Sequence, residues 1–320
     1  MITYMYDKKI AKIAVIGGDM RSLAAAWAMS ERGIAAAVWG FDKDATKDDV
    51  PRPGGSIIKC TTVCEAVSGA DAIVLPLPVS GDGIRLNCPQ SSRELKLCDL
   101  FGLLSGDVPI FGGLVSEDVK KRADEHGLTI TDYYDRDELC ILNAVPTAEG
   151  AVAIAINELP ITLSGADTVV LGFGRVARVL CRTLRALGAN VTACARKPAD
   201  FAWMRTMDIK PADITLLESQ SEPSGFDVES AGHAVSRADV VFNTVPSKLL
   251  TYPVLGMLKT GVPVIDLASK PGGVDFDAAR QLGVNVIWAL SLPGKTAPES
   301  AGRIICSTVL GILAENGGML

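Results

Sequence analysis

Short apolar runs alternate with longer amphipathic runs along almost the whole chain of 320 residues. The short runs have the length and β-branched content of buried strands, whereas the longer runs have the spacing of helices. Because strands that alternate with helices assemble into parallel sheets, we predict an α/β fold with two Rossmann-like, doubly wound domains. The predicted strands are residues 12–16, 34–39, 56–60, 72–75, 108–111, 128–132, 168–171, 190–195, 240–244, 262–267 and 284–288, with a further one within 213–216.

Residues 172–177 read Gly-Phe-Gly-Arg-Val-Ala and stand between a predicted strand and a helical run, as in a dinucleotide-binding turn. Gly172 permits the tight turn, Gly174 lets backbone N–H groups approach a pyrophosphate, and Ala177 lets the helix pack close to the sheet. The alternative is that the glycines only make a tight turn. The residues predicted to hold the cofactor are Gly172, Phe173, Gly174, Arg175, Val176 and Ala177, with Thr244, Val245 and Pro246 from another strand-end loop.

The same pattern occurs earlier in the chain at a constant offset. Residues 12–17 read Lys-Ile-Ala-Val-Ile-Gly, and adding 155 places Gly17 on Gly172 and Gly33 on Gly188. An internal βαβ duplication is the simplest interpretation, although two unrelated units can coincide by chance.

The first copy differs at the position that must approach the phosphates, because Asp19 stands where the second copy has Gly174. A carboxylate there would repel a pyrophosphate, and its Cβ would block the approach, so we predict that the first copy does not hold the dinucleotide. Arg21 in the same loop is a candidate to bind a substrate carboxylate. The alternative is that Asp19 caps the helix and Arg21 is a solvated surface residue.

Composition and charge argue against several classes of function. With a net charge of -6 and a pI near 5.1, the chain has no basic patch for nucleic acid or an anionic membrane. We find no apolar run of the roughly 18 residues that span a bilayer, and residues 1–12 carry charges where a signal peptide is apolar, so we expect a cytoplasmic protein. The eight cysteines form no CxxC pair and there are only two histidines, so neither a metal site nor a Ser-His-Asp triad is expected.

We predict an N-terminal substrate domain over residues 1–145 and a dinucleotide-binding domain over residues 146–297. The apolar, alanine-rich run 147–159 follows Pro146 and is predicted to be an interdomain helix. A last helix within 298–320 is predicted to pack back on the first domain. Because parallel sheets bind ligands at the carboxyl ends of their strands, we expect the substrate in a cleft between the domains.

Two lysines follow predicted strands of the second half, Lys270 in a Ser-Lys-Pro-Gly-Gly loop and Lys295 in a Leu-Pro-Gly-Lys-Thr loop. Both stand where a parallel sheet presents its ligands, so we predict a functional role for at least one of them. Loops this rich in proline and glycine can also be simple turns.

The cofactor is predicted from the end of the second strand of the dinucleotide unit, which reads Arg196-Lys197. An NAD-specific unit has an acidic residue there, which binds the ribose 2′-hydroxyl. Two cations would instead lie beside the 2′-phosphate of NADP, and arginine binds phosphate bidentately. We therefore predict NADP, with NAD as the other cofactor to consider; the alternative is a solvated Arg-Lys turn.

Taken together, these motifs resemble one family, that of the A subunit of dipicolinate synthase, the enzyme of spore-forming bacteria that makes pyridine-2,6-dicarboxylate. The glycine turn and the Asn-Thr-Val-Pro loop alone also resemble those of 2-hydroxyacid and shikimate dehydrogenases, but the combination and order are specific. The resemblance covers nearly the whole chain. Its motifs are Ile-Gly-Gly-Asp-Met-Arg at 16–21, Leu-Pro-Leu-Pro-Val at 75–79, residues 143–150, the glycine turn followed by Ala195-Arg196, Asn-Thr-Val-Pro at 243–246, Lys-Pro-Gly-Gly at 270–273 and Leu-Pro-Gly-Lys-Thr-Ala-Pro at 292–298.

The resemblance implies NAD(P)-dependent oxidation and aromatisation of a dihydrodipicolinate-type intermediate of the lysine pathway during sporulation, and its implied partner is a flavoprotein-like B subunit. Such a reaction needs a base and a cation for each substrate carboxylate. With so few histidines, the acid–base candidates are Lys295, Lys270 and Glu299, and Arg21 with one of the lysines would hold the carboxylates. Neutral hydrogen bonds to the substrate are expected from Ser80, Asn143 and Thr147.

Other functions remain open at this point. One is an NADP-dependent 2-hydroxyacid or shikimate-type dehydrogenase, for which we find no matching Lys-Asp or His-Glu/Arg catalytic set. Another is a nucleotide-binding regulatory subunit without activity. The sequence leaves open whether the chain forms a homo-oligomer.

Overall fold

The computed structural model describes residues 9–43, 55–218 and 228–319. Most of the N-terminal segment 1–12, whose charges argue against a signal peptide, therefore lies outside the described residues.

By its contacts the chain divides into two compact units. The first consists of Met1–Asn143 together with Pro293–Leu320, and the second is Ala144–Leu292. The second boundary lies a few residues before the predicted one at 297, so Lys295 belongs with the first unit.

Thirteen strands are found among the described residues, and each pairs in parallel with its neighbours. They are β1 (Lys12–Ile16), β2 (Ala35–Trp39), β3 (Ile57–Lys59), β4 (Ala72–Val74), β5 (Ile110–Gly112), β6 (Ile130–Asp132), β7 (Asp167–Leu171), β8 (Asn190–Ala195), β9 (Lys210–Asp213), β10 (Glu229–Ser230), β11 (Val240–Asn243), β12 (Val264–Asp266) and β13 (Val286–Trp288). The first unit has one sheet in the order β3-β2-β1-β4-β5-β6, and the second has one in the order β10-β9-β8-β7-β11-β12-β13. Both sheets extend outwards in two directions from their first strand, so the predicted doubly wound α/β class is confirmed.

Twelve helices are found among the described residues, most of them in the connections between these strands. They are α1 (Met20–Ser30), α2 (Val63–Val67), α3 (Leu97–Phe101), α4 (Glu117–Asp124), α5 (Asp137–Glu158), α6 (Arg175–Ala186), α7 (Pro198–Thr206), α8 (Ala231–Arg237), α9 (Tyr252–Leu255), α10 (Phe276–Leu282), α11 (Leu292–Thr296) and α12 (Pro298–Glu315). Two 3₁₀ turns, Tyr133–Asp135 and Ile214–Leu216, follow β6 and β9.

Each sheet is covered by apolar side chains on both faces, as a parallel sheet requires. In β1, Ile13 and Val15 belong to the core cluster that includes residues of α1 and α12, whereas Ala14 and Ile16 belong to the cluster on the opposite face. Successive side chains of a strand point to opposite faces, which explains this alternation. The second unit likewise has two clusters, one on each side of β7.

The duplication inferred from the glycines extends over whole elements. β1 and β7, α1 and α6, and β2 and β8 begin 155 residues apart in each case. Gly17 and Gly172, which end the first strands, have φ angles of 70° and 98°. Both lie in the left-handed region that favours glycine, so the two turns share their backbone geometry.

The predicted interdomain helix begins well before the expected residue 147. α5 starts at Asp137 and runs through Pro146, so the prediction that it begins after the proline is wrong. A proline removes one intrahelical hydrogen bond, but Leu139 and Ala144 before it and Ala148 after it are all buried. Packing on both sides of Pro146 keeps the helix continuous.

α5 also corrects the expectation that no apolar run is long enough to cross a membrane. Among the described residues it alone is long and apolar enough by length and composition, with a mean hydropathy of 1.7 in its best window, of which 44% is buried. The expectation failed because it treated Pro146 as a helix boundary, which divides the apolar sequence into two shorter runs. Core helices meet the same criterion, and Ala148, Ala151 and Ala155 are fully buried in the core of the second unit.

The strand predicted within 213–216 is wrong. The sheet strand there is the earlier β9, and a 3₁₀ turn follows it in which the Asp213 carboxylate accepts the Thr215 N–H at 2.9 Å. Pro211 within β9 has no backbone N–H to donate to a neighbouring strand, which is unusual inside a sheet, so the sequence pattern did not indicate a strand there. The other predicted strands are present with ends displaced by at most two residues.

α1 and α12 pack backbone to backbone in the first unit. A Cβ atom at Gly302 of α12 would lie 2.5 Å from the Ala24 Cβ and 2.7 Å from the Ala25 backbone nitrogen. Only a residue without a side chain allows this approach, and through it Ile305, Cys306 and Val309 reach the core beside β1.

Replacing Gly302 with alanine should lower the free energy of unfolding by roughly 1–3 kcal/mol, because the added methyl group overpacks the contact between α1 and α12. Gly311 is a matched control in the same helix, since a Cβ there would meet no atom within 4 Å. Gly311→Ala should raise the stability by about 0.5–1 kcal/mol through helix propensity. Urea unfolding of both variants is the measurement, and equal changes would contradict the close contact.

Candidate functional site

The candidate site is built around the glycine turn between β7 and α6. Gly174 is the N-cap residue of α6, and the helix has no side-chain cap. A Cβ atom at Gly174 would meet no heavy atom within 4 Å, whereas one at Gly172 would collide with Thr244 Oγ1 and lie 2.9 Å from Val245 Cγ2. Gly172 therefore permits the packing of the turn, and Gly174 leaves the N-terminus of α6 open to a ligand.

A groove of about 480 Å³ lies beside this turn, at the carboxyl ends of the strands of the second unit. Doubly wound sheets bind nucleotides at this edge. Its walls come from the glycine turn, the end of β8, the start of α7 and the loop after β11. The lining residues are Gly172, Phe173, Gly174, Arg178, Cys194, Ala195, Arg196, Lys197, Asp200, Ile214, Val245, Ser247 and Leu249.

Three cations and one carboxylate line the groove, which gives its charged side chains a net charge of +2. Arg196 and Lys197 are both exposed. Arg178 Nη2 lies 3.2 Å from Asp200 Oδ1, so the one carboxylate is already paired. The groove is therefore electrostatically suited to a polyanion.

Arg178 and Asp200 are charged lining residues that were not predicted from the sequence. Arg178 follows Gly174 by one helical turn of α6 and places its guanidinium 5.0 Å from the centre of the Phe173 ring, while its Nε donates to Phe173 O at 3.1 Å. The helical spacing from the glycine turn was the signal that could have found it. The pairing with Asp200 depends on how α7 packs, which the sequence does not show.

Some residues predicted to bind the cofactor lie outside the groove lining. Thr244 donates its hydroxyl to Leu171 O at 2.8 Å and so fastens the end of β11 to β7. Ala177 is fully buried in the core, in keeping with its expected packing role. The predicted cofactor residues outside the lining are Arg175, Val176, Ala177, Thr244 and Pro246.

The floor of the groove contains a cysteine that is not a nucleophile. Burial raises the pKa of the Cys194 thiol far above its usual range, and the carboxylate of Glu229 acts in the same direction. The thiol is therefore neutral at physiological pH and serves as apolar packing.

The equivalent turn of the first unit is closed by the protein itself. The N–H of Gly18 donates to Asn87 O at 2.9 Å. A Cβ at Gly17 would lie 2.8 Å from Leu86 and 3.2 Å from Cys88 Sγ. Segment 86–88 thus packs on the turn at Gly17 and Gly18, and the Asp19 carboxylate stands at the position equivalent to Gly174.

Arg21 is buried, with 7% of its surface exposed. Asp19 caps α1 through the Arg21 N–H, and its carboxylate also pairs with the guanidinium at 2.8 Å. The interpretation of Asp19 as a cap fits this geometry, whereas a solvated Arg21 does not. The guanidinium also donates to Leu77 O. Within the part of the chain that the structure describes, its Nη1 makes no hydrogen bond and is the donor left for a ligand.

Ser80 lies in the same unit, but its hydroxyl is used within its own loop. Its single proton is shared between Arg85 O and Asp82 Oδ1, and its oxygen accepts the Gly83 N–H at 2.9 Å. Backbone N–H groups of Arg85 and Ile84 hold the pKa of the Asp82 carboxyl well below its usual range. The loop is therefore fixed by internal hydrogen bonds, and Ser80 is one of its anchors.

The remaining predicted residues are divided between the units. Lys295 and Glu299 belong to the first unit with Arg21, whereas Lys270 belongs to the second. All three predicted acid–base residues are exposed, and Glu299 pairs with Arg303 at 3.6 Å. A Cβ at Gly294 would lie 3.1 Å from Arg21 Nε, so α11 brings the chain beside Lys295 close to the buried arginine.

Asn143 and Thr147 both lie in α5, one helical turn apart. Both are half-buried. Residues four apart share one face of a helix.

The residues of the second unit fit a dinucleotide. The turn at Gly174 is open, the helix of twelve residues that follows it has no side-chain cap, and cations lie at the end of β8. The pyrophosphate can bind at the helix N-terminus, and the ribose substituents can bind beside the cations, as in other sites of this class. Among residues 9–43, 55–218 and 228–319 no group of three metal-ligating side chains is found.

Comparison with known proteins gives a consistent result. The family model for the N-terminal domain of the dipicolinate synthase A subunit matches residues 12–134. Over 305 residues the chain is 30% identical to the A subunit of dipicolinate synthase from Bacillus subtilis (strain 168), covering 95% of this chain and 96% of that protein. The crystal structure of the corresponding A subunit from Bacillus halodurans superimposes with a TM-score of 0.79 at 28% identity, covering 96% of this chain and 98% of that one.

The fold is shared more widely. A transhydrogenase from Sinorhizobium meliloti superimposes with a TM-score of 0.68 at 16% identity, covering 95% of this chain and 93% of that one. At this identity the likeness shows a common two-domain, dehydrogenase-like Rossmann fold and nothing further.

Gly174→Asp should abolish dinucleotide binding while the protein stays folded. The new Cβ enters open space, but the carboxylate copies the closed turn of the first unit and repels a pyrophosphate. Titration of NADP and NAD by tryptophan fluorescence, together with a thermal unfolding curve, measures both effects. Gly174→Ala is the control that adds the Cβ without the charge. A folded Gly174→Asp variant with native affinity would show that the turn does not hold the cofactor.

Proposed function

The chain belongs to the family of the dipicolinate synthase A subunit, and on that premise we propose that it is an NAD(P)-dependent oxidoreductase that converts a dihydrodipicolinate-type intermediate of the lysine pathway into pyridine-2,6-dicarboxylate. The observation that carries the proposal is the open turn at Gly174, in a chain related to that family over nearly its full length. A dehydrogenase-like fold with this turn is suited to a nicotinamide dinucleotide.

The reaction removes two hydrogens from the dihydropyridine ring. One leaves a ring carbon with its electron pair as a hydride, the other leaves as a proton, and the ring gains its third double bond. Bound NAD(P) supplies the hydride acceptor. The protein has to orient the ring, bind its two carboxylates and accept the proton.

Arg21 is the proposed partner of one substrate carboxylate. Its guanidinium is held in place by Asp19 and by Leu77 O, and the Nη1 donor remains for a ligand. A buried, pre-oriented arginine binds a carboxylate with little loss of side-chain freedom. Ser80, Asn143 and Thr147 are the proposed neutral contacts.

A lysine is the proposed partner of the second carboxylate, and either a lysine or Glu299 is the proposed proton acceptor. Lys295 stands next to Gly294, which packs on the Asp19–Arg21 pair, so it is the preferred carboxylate partner. Lys270 stands in the loop after β12 and, with Glu299, is a candidate base. Aromatisation favours loss of the proton, so weak general-base help suffices.

The proposed cofactor is NADP rather than NAD. Arg196 and Lys197 line the groove at the end of β8, where the adenosine ribose is bound in this class of site. The one lining carboxylate, Asp200, pairs with Arg178 and is thereby partly neutralised. A 2′-phosphate adds charge that these cations can bind.

The proposed setting is the cytoplasm of a sporulating cell, and the proposed partner is a flavoprotein-like B subunit. This part rests on membership of the family. Turnover is therefore best measured both with the chain by itself and with a B subunit present.

Purified chain, incubated with NADP and freshly made dihydrodipicolinate-type precursor, should produce NADPH and pyridine-2,6-dicarboxylate in equal molar amounts. NADPH is measured by its fluorescence and pyridine-2,6-dicarboxylate by its ultraviolet absorbance. Arg21→Ala should raise KM about tenfold or more, because a charged hydrogen bond of roughly 1.5–3 kcal/mol is lost. Arg280→Ala, which removes an exposed arginine paired with Asp277, is the matched control and should leave KM unchanged.

Signal only with the B subunit present would show that turnover needs the complex. No NADPH in either sample, despite measured cofactor binding, would contradict the proposal and favour a regulatory role in which the chain binds nucleotide without turnover.

NADP should bind about tenfold or more tightly than NAD, since Arg196 and Lys197 add charged hydrogen bonds that exposure and salt weaken. Arg196→Asp should reverse the preference, because the carboxylate repels the 2′-phosphate and accepts from the ribose hydroxyls. Dissociation constants for both cofactors at two salt concentrations test this. Equal affinities in the wild type would mean that the Arg-Lys pair is only a solvated turn.

A further inference from the structure

Two polar residues of the second unit, Asn243 and Asp266, are completely buried and have no role in the site described so far. They stand opposite each other at the ends of the neighbouring strands β11 and β12. Each has 0% of its surface exposed, and neither lines the groove. Buried polar side chains persist where hydrogen bonds offset the cost of their desolvation, so their contacts show what they hold in place.

Asn243 holds the backbone of Val245. Its Nδ2 donates to Val245 O at 3.0 Å, and its Oδ1 accepts the Val245 N–H at 3.1 Å. Val245 lines the groove and packs against the turn at Gly172. The second hydrogen of Nδ2 is donated to Asp266 Oδ1 at 2.8 Å. The side chain that shapes this groove wall is thus itself held by a carboxylate.

Asp266 holds both ends of the loop 268–273. Its Oδ1 accepts the Ala268 N–H at 3.1 Å, and its Oδ2 accepts the Gly273 N–H at 2.9 Å. With Asn243, these are three uncharged donors to one buried carboxylate. The loop they close carries Lys270.

A second contact joins the loop 268–273 to the groove wall. Gly273 O accepts the Leu249 N–H at 3.1 Å, and Leu249 lines the groove. A Cβ at Gly273 would collide with Asn243 Nδ2 and lie 2.6 Å from Val245 O. The loop is therefore packed directly on the residues that form the groove wall.

We propose that Asn243 and Asp266 are a positioning pair that couples the loop 268–273 to the nucleotide groove. The pair holds Val245 at the groove and Lys270 on the loop in one fixed arrangement. This inference rests on the proposed function, because it assigns the pair a role in placing the cofactor relative to a candidate base.

The coupling requires two acceptor oxygens at position 266. Asparagine there has the same shape, but its amide nitrogen would face an N–H donor in place of one carboxylate oxygen. The resulting mismatch leaves buried donors without acceptors, which is costly. The asparagine amide would keep its oxygen at the Oδ1 position, which accepts two donors, so the mismatch falls on the Gly273 N–H. Because Gly273 packs against Asn243 Nδ2 and Val245 O, the disturbance should extend to Val245.

Hydrogen exchange and cofactor titration of Asp266→Asn and Asn243→Ala test the coupling. In nucleotide-free Asp266→Asn, exchange should accelerate at the Val245 N–H as well as at the Gly273 N–H. The dissociation constant for NADP should rise about tenfold in both variants, as expected for the loss of buried hydrogen-bond partners. Asn243→Ala leaves the Asp266 hydrogen bonds to Ala268 and Gly273 in place, so it keeps the test decisive where Asp266→Asn folds poorly.

Val254→Ala is the control for a merely structural role. Val254 is fully buried in the core cluster that includes Val241 and Val264 but lies outside the groove lining, so its truncation lowers stability without removing a hydrogen bond of the pair. The expected result is native NADP affinity and native exchange at Val245 in this variant. Two results would overturn the positioning role. One is unchanged exchange at Val245 in Asp266→Asn. The other is a loss of NADP affinity in the two pair variants that is no greater than in Val254→Ala at an equal melting temperature. If the wild type binds no dinucleotide at all, the proposed function itself is wrong.

Discussion

The nucleotide site proposed for the second unit depends on the open N-terminus of α6. The first turn of any helix leaves backbone donors without intrahelical partners. In α1 the Asp19 side chain satisfies one of them, and the neighbouring Gly18 N–H is bound by Asn87 O. In α6 the N-cap is a glycine with no side-chain cap and open space around it. The same backbone geometry is thus closed in one copy and open in the other.

Local signals predicted most of the fold and the glycine turn of the candidate site. Apolar runs indicated the strands because both faces of each sheet are buried, and Gly172 and Gly174 marked the turn because their roles are set by backbone conformation and by the absence of a Cβ. Pro146 misled the prediction of α5, since a local helix-breaking tendency was outweighed by tertiary packing on both sides.

The parts that the sequence could not show join residues that are distant along the chain. Arg178 meets Asp200 only once α6 and α7 are packed, and segment 86–88 covers Gly17 only once the loop after β4 has folded back. Asn243 and Asp266 become neighbours through the register of β11 and β12. Motif and periodicity carry no information on such contacts, which arise from topology.

The division of the chain has a consequence for biosynthesis. Pro293–Leu320 completes the first unit, yet it is made after the whole of Ala144–Leu292. On the ribosome, β1 to β6 therefore emerge without α12, which supplies Ile305, Val309 and Leu313 to the core beside β1. Domains generally fold as units during synthesis, so the later-made second unit is complete before the first. The apolar face that awaits α12 is the surface that a chaperone would have to shield in the nascent protein.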